Sequence, residues 1–330
     1  MTKTIIIAEA GVNHNGSINI AKKLVDVAKE AGADFVKFQL FVPEKLVTNY
    51  AKKAKYQKIP NDKKNTQLEM LKDLNLDNKA QTKILDYCKK KKIGYLCTAF
   101  DDKSFEFISK KKLKFIKIPS GEIDNFIYLK KLKKMNNENI ILSSGASNFL
   151  EVKRAVNIIG KKKIILLQCN SAYPTPLQDL NLKTLLLFKK KFKIRVGLSD
   201  HSLSLIAPSN AVAMGASVIE KHFTLSRKMK GPDHKSSLEP KELKQMIEYI
   251  RETEISLGLK KKFITKSEKK NRIIIRKSIV AASKIKKGSK FTKNNITVKR
   301  PGSGLSPMKF FKILGKKSKR NYKIDDLIFE

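Results

Sequence analysis

No run of eighteen apolar residues occurs anywhere in the 330-residue chain, so no segment reads as a membrane-spanning helix. The apolar run near the start, Ile5–Ala8, is far too short for a secretory signal, and a cytoplasmic location is expected. Cysteine is scarce as well: Cys88, Cys97 and Cys169 are the only three. Odd in number and without CxxC spacing, they suggest neither a disulfide framework nor a zinc knuckle. Cys97 and Cys169 sit in apolar runs that read as buried strands. Arginine is the third shortage. Only eight of the 71 basic residues are arginine, and the lysines that bring the formal charge to +41 are spread over every segment. Nucleic-acid readers concentrate charge on one face, often with arginine and interleaved aromatics. Evenly spread lysine therefore argues against a specific nucleic-acid partner, although its field can speed the encounter with an anionic substrate.

What is present is a globular composition: 41% hydrophobic residues and 17 phenylalanines. The length allows one large domain and a small one. Of four histidines, three fall between Arg195 and His234: His201, His222 and His234. Two β-rich runs, Ile194–Leu198 and Ser217–Ile219, end in the polar clusters Ser199-Asp200-His201 and Glu220-Lys221-His222. Between them Leu205–Met214 reads as a helix closed by Gly215. Strand, helix, strand is a unit whose strands lie parallel and adjacent, so His201 and His222 would meet at one sheet edge. Two converging imidazoles suit a divalent metal. The alternative is that each caps a strand or pairs with a neighbouring carboxylate.

The same alternation fills the chain from its start. Strands are expected at Thr4–Ala8, Phe35–Leu40, Tyr95–Phe100, Phe115–Pro119, Ile140–Ser143 and Ile164–Gln168, followed by the pair already described. Ser17 should cap a helix running to Ala31, with Gly32 stopping it. The insertion Pro43–Leu76 should hold two short helices. Eight β/α units over residues 1–258 predict a (β/α)8 TIM barrel. Residues 259–276, basic and polar, read as a linker, and 277–330 as a small β-rich module. Glu9, Lys37, Gln39, Thr98, Lys117, Glu122, Ser144, Ser171, Tyr173, Asp200, His201 and His222 all fall at or just past strand ends, the face that carries barrel active sites. Inward lysines are costly unless they meet carboxylates or an anionic ligand. Lysines, carboxylates and a metal together suggest addition to a carbonyl, with one carboxylate moving a proton.

Nine stretches resemble the sialic acid synthases (N-acetylneuraminate and legionaminic acid synthases): IAEAGVNHNG (7–16), DFVKFQ (34–39), FIKIPSGEI (115–123), SSGAS (143–147), QCNSAYP (168–174), VGLSDHS (196–202), IEKHFTL (219–225), KGPDHKSSLEP (230–240) and VKRPGSG (298–304). The resemblance implies a TIM barrel followed by an antifreeze-like (SAF) domain. It implies condensation of phosphoenolpyruvate with an N-acetylated hexose and water, giving a nine-carbon 2-keto sugar acid and phosphate. N-acetylmannosamine is the first expectation for the sugar, with 2,4-diacetamido-2,4,6-trideoxymannose as the alternative. His201 and His222 match the metal ligands, for Mn²⁺ first and Mg²⁺ or Co²⁺ otherwise. Lys37, Lys117, Ser120, Ser144 and Ser199 match the residues holding phosphoenolpyruvate. Glu122 matches the acid–base carboxylate, with Glu9 and Gln39 around the sugar and metal. Thr98 and Ser171 join the substrate contacts. Tyr173 and Asp233 match sugar contacts, Phe100 a pocket wall, and Arg300 the residue that reaches the N-acetyl group. The resemblance further implies a domain-swapped homodimer. Asn170 stands where threonine is commoner in this family. Two other classes, a polyanion binder and a surface-recognition module, fit the residues less well.

Overall fold

The computed structural model describes residues 3–58, 66–135 and 139–329, and the chain divides into two compact units, Met1–Gly258 and Leu259–Glu330. In the first, eight parallel strands close into a barrel in sequence order. They are β1 (Ile5–Gly11), β2 (Phe35–Leu40), β3 (Gly94–Ala99), β4 (Phe115–Ile118), β5 (Asn139–Ser143), β6 (Ile164–Cys169), β7 (Arg195–Asp200) and β8 (Val218–His222). This is the barrel that the alternating pattern predicts. The last two strands run further than expected. Ser199 and Asp200 extend β7, and Glu220 to His222 extend β8, because ladder partners continue: Asp200 pairs with Lys221, and Glu9 with His222.

Period-two alternation builds the interior in layers. Ile7, Phe35, Leu96, Phe115, Ile141, Ile165, Leu167 and Val218 form one apolar cluster inside the barrel. Two residues further along the same strands stand Glu9, Lys37, Thr98, Lys117, Ser143 and Glu220, all buried. The charged layer thus rests directly on a hydrophobic floor. Gly197 is needed there, because a Cβ would sit 2.4 Å from the Val218 carbonyl and 2.5 Å from Leu167 Cδ2.

Outside the barrel the helices bury a single stripe. Helix Ile18–Glu30 covers Ala21, Leu24, Val25 and Ala28, the i, i+3, i+4, i+7 spacing of one face. Ser17 caps it by accepting from the Ile20 amide, a contact worth about 1 kcal/mol. Of the insertion Pro43–Leu76, residues 59–65 lie outside the described residues. The remainder forms helix Pro43–Leu46, a 3₁₀ turn at Lys55–Gln57 and helix Gln67–Leu74.

The second unit pairs β9 (Ser278–Ala281) antiparallel with β10 (Ile296–Lys299) around a core that includes Ile279, Ile285, Phe291, Ile313, Tyr322 and Ile328. The stretch read as a linker is not structureless. It holds helix Glu268–Ile275, started where the Glu268 carboxylate accepts from both the amide and hydroxyl of Thr265. Among the described residues no helix is long and apolar enough to cross a membrane.

Candidate active site

At the C-terminal end of the barrel strands lies a cavity of about 430 Å³. Lys37 and Lys117 meet Glu9 and Glu220 at its base. Lys37 Nζ is 2.8 Å from Glu9 Oε2 and 3.7 Å from Glu220 Oε2, and Lys117 Nζ lies 3.6 Å from Glu220 Oε1. Lys37 also donates to Thr98 Oγ1 at 3.2 Å, Lys117 to Ser143 Oγ at 2.8 Å, and Ser199 to Glu220 at 2.9 Å. The two carboxylates divide by environment. Burial raises Glu9 to about 7, against the pull of Lys37 and with Glu220 adding to the rise. Burial would lift Glu220 too, but Lys117 and Lys37 outweigh it and hold it below the usual range. With Glu220 ionised and Glu9 near neutrality, two ammonium groups face little more than one negative charge. The base of the cavity is set to receive an anion.

His201 and His222 face each other above this layer, ring centroids 5.3 Å apart. His201 Nδ1 lies 2.5 Å from the Asn170 carbonyl, a donor position that leaves Nε2 as the nitrogen turned toward a ligand. That nitrogen is 3.1 Å from the Tyr173 hydroxyl, and the Tyr173 ring stacks on His201 at 4.1 Å. Burial, then His201, pushes His222 well below the ordinary histidine range, so it is neutral. Its Nδ1 is buried without a hydrogen-bond partner, a costly state for a polar atom. A cation would accept that lone pair, so the pair fits a divalent metal. His201 shifts the other way: burial lowers it, but Cys169 and the Asn170 carbonyl more than compensate, and a metal at Nε2 would compete with its proton. Among the described residues no group of three or more His, Cys, Asp or Glu is placed to hold a metal. The protein offers two nitrogens, and other ligands would come from water or substrate.

Gln39, Phe100, Ser120, Glu122, Ser171 and Asp233 also line the cavity. Glu122 is half-buried, bonded by Asn125 at 2.6 Å, and raised by burial against that bond. Burial lifts Asp233 to about 6. Gly11 makes room for all of this: a Cβ there would meet Glu9 Oε1 and His222 Cε1 at 3.3 Å and Asp233 Oδ2 at 3.4 Å, and its φ is +53°. One expected residue, Ser144, does not line this cavity. Ser144 Oγ donates to the Leu167 carbonyl and faces a neighbouring hollow, and it is Ser143 that reaches Lys117. Arg300 stands in the second unit, where its Nε donates to the Ile275 carbonyl at 3.1 Å.

Sequence reasoning missed Glu220, Ser143, Cys169, Tyr56 and, apart from Phe100, the apolar wall of the cavity. Glu220 was detectable, because it lies two residues before His222 on one strand and two buried lysines require counter-charge. The wall comes from Val12, Phe41, Met70, Leu71 and Leu74, with Leu46, Val47 and Phe100 packed against them. Tyr56 stacks on Tyr173 at 4.8 Å. Most of these residues come from the insertion, which has no strand-end signal.

Behind the site His14 and His234 are buried; His234 bonds Thr224 Oγ1 at 2.6 Å and Asn15 at 3.2 Å. Burial, reinforced for His14 by its neighbour His234, lowers each from 6.5 to about 4. Between those values the unfolded chain binds more protons than the folded one, so stability is lost as pH falls through that window. Urea midpoints should decline from pH 7 to pH 4.5, and His14→Gln should make the decline shallower. An equal slope would remove His14 as a contributor.

Residues 24–262 match the NeuB family and residues 276–330 the SAF domain. The chain is 48% identical to the N,N'-diacetyllegionaminic acid synthase of Campylobacter jejuni, covering 100% of both chains. It is 39% identical to the enzyme of the same name from Legionella pneumophila, over 96% of this chain and 90% of that one. The crystal structure of the N-acetylneuraminic acid synthetase from Leptospira borgpetersenii superposes with a TM-score of 0.73 at 32% identity, covering 82% of this chain and 90% of the other.

Proposed function

The chain belongs to the NeuB family and is a synthase of that family, and from that premise we propose that it joins phosphoenolpyruvate to 2,4-diacetamido-2,4,6-trideoxymannose. Carbon 3 of the enol phosphate bonds to the sugar's aldehyde carbon, water adds its oxygen at carbon 2, and phosphate leaves. The product is N,N'-diacetyllegionaminate. The observation that carries the reaction is one cavity in which Lys37 and Lys117 lie beneath the His201–His222 pair, with Glu122 at its edge.

Lys37 and Lys117 hold the carboxylate and phosphate of phosphoenolpyruvate, helped by the hydroxyls of Ser120 and Ser199. Glu122, raised by burial, transfers a proton at the reacting sugar oxygen. Tyr173 and Asp233 hold the sugar, and Gln39, 3.5 Å from Glu9, orients that carboxylate. A divalent metal on His201 and His222, Mn²⁺ foremost, would polarise the aldehyde oxygen as a Lewis acid. The reading includes a domain-swapped dimer in the cytoplasm, with Arg300 of one copy reaching the sugar bound in another.

The sugar assignment rests on two supports. The Campylobacter jejuni and Legionella pneumophila relatives, 48% and 39% identical, are both named N,N'-diacetyllegionaminic acid synthase. The apolar wall of Leu46, Val47, Met70, Leu71 and Leu74 suits a sugar that carries a methyl in place of a hydroxymethyl and an acetamido in place of a hydroxyl. N-acetylmannosamine is the second reading, favoured by the likeness to the N-acetylneuraminic acid synthetase structure. Phosphate release should be measured with each sugar and phosphoenolpyruvate. A kcat/KM at least about 10-fold higher with the diacetamido sugar is expected, since each well-placed methyl or acetamido contact contributes roughly 1–3 kcal/mol. The reverse preference would reassign the sugar and leave the reaction class intact.

A further inference from the structure

Alternation along β7 and β8 puts Ser199 and Glu220 inside the barrel, with His201 and His222 beyond them at its mouth. Asp200 and Lys221 therefore point outward, toward the layer where Leu198 and Ile219 pack against the helices. They are ladder partners, and each stands next to one of the two histidines. Lys221 Nζ is 2.6 Å from Asp200 Oδ2, and it also donates to the carbonyls of Ser202 at 2.6 Å and Ser204 at 3.1 Å. Asp200 Oδ1 accepts from the Ser202 amide at 2.8 Å. Side-chain exposures are 1% for Lys221 and 0% for Asp200.

An ion pair so deep is a poor source of stability, since well-packed apolar residues of similar size often do as well or better. What apolar side chains do not supply is direction. The ammonium ties the backbone just after His201 to the residue just before His222, and the carboxylate closes the turn from the other side. We propose that Lys221 and Asp200 are positioning residues that hold His201 and His222 at the separation needed to share one divalent cation. The proposal rests on the reading of those histidines as metal ligands.

Lys221→Met separates this role from its rivals by the sign of the effect. Electrostatics alone predicts tighter metal binding when a buried cation is removed near a divalent ion. Positioning predicts weaker binding, by roughly 10–100-fold, the range for residues that orient metal ligands. Calorimetric titration with Mn²⁺ alone reads this directly, beside phosphoenolpyruvate affinity without metal, which should stay within about twofold because Lys37 and Lys117 are untouched. The Asp200→Asn/Lys221→Met double variant removes both charges of the pair and keeps the same net charge. It carries the test should the single variant fail to fold, and weaker Mn²⁺ binding is expected there too. Unchanged or tighter Mn²⁺ binding in a folded variant overturns the proposal. Absence of Mn²⁺ binding by the unsubstituted protein would instead remove the ligand reading itself, before any substitution is made.

Discussion

Lys37→Met is expected to lower the melting temperature by roughly 10 °C and to abolish measurable phosphoenolpyruvate binding. Lys37 is 5% exposed and its partner Glu9 1%, so the lost ammonium leaves buried carboxylate oxygen without its partner. Removing one member of a buried pair costs about 3–5 kcal/mol, and each kcal/mol shifts a unit of this size by about 2–4 °C. The cost falls chiefly on Glu220. Glu9, already raised to about 7, can take up a proton, whereas Glu220 is held ionised by Lys117 and Lys37. Because the Glu220 pKa is depressed in the fold, the stability it confers is present above the usual carboxylate value and lost as pH falls. The gap between variant and parent should therefore narrow toward pH 4. Scanning calorimetry at pH 7.5 and pH 4.5 checks both statements; a variant as stable as its parent at pH 7.5 would mean the pair is not needed for the fold.

Glu122→Gln is the complementary case: a large loss of rate with little loss of anything else. Its carboxylate touches only Asn125 among the described hydrogen bonds, on a short 3₁₀ turn after β4. The isosteric amide should leave the melting temperature within about 2 °C, as for a surface substitution. A proton-transfer group contributes about 10²–10⁴-fold, so kcat should fall within that range while the KM for phosphoenolpyruvate moves little. Steady-state phosphate release separates the two parameters. Full turnover in Glu122→Gln would move the proton transfer to Glu9 or Asp233, the cavity carboxylates raised to about 7 and about 6.

The residues that the sequence made legible share one property: they sit on strands whose alternation is visible. Lys37, Thr98 and Lys117 follow an apolar residue two places earlier, His201 and His222 follow Ser199 and Glu220 at the same spacing, and the barrel turns that spacing into a common face. The choice of Ser144, where Ser143 is the one that reaches Lys117, has the same origin. In a strand a step of one residue reverses the side chain, and the paired serines Ser143-Ser144 gave no means of choosing. Counter-charge is not periodic, so Glu220 was passed over. The insertion wall was invisible because helices Pro43–Leu46 and Gln67–Leu74 contribute through tertiary packing rather than pattern. The sugar is unreadable from the catalytic motifs for the same reason: they surround the reacting carbon, while the first expectation, N-acetylmannosamine, and its diacetamido rival differ at the other end.

The hydrophobic floor beneath the charged layer gives the pocket a single doorway. Ile7, Phe35, Leu96, Phe115, Ile141, Ile165, Leu167 and Val218 close the barrel axis, so nothing passes through to the far side. The lysines lie deepest and the aromatic and aliphatic wall nearest the rim. On the proposed function, an enol phosphate at the lysines would have to settle first, and the sugar that followed would close it in.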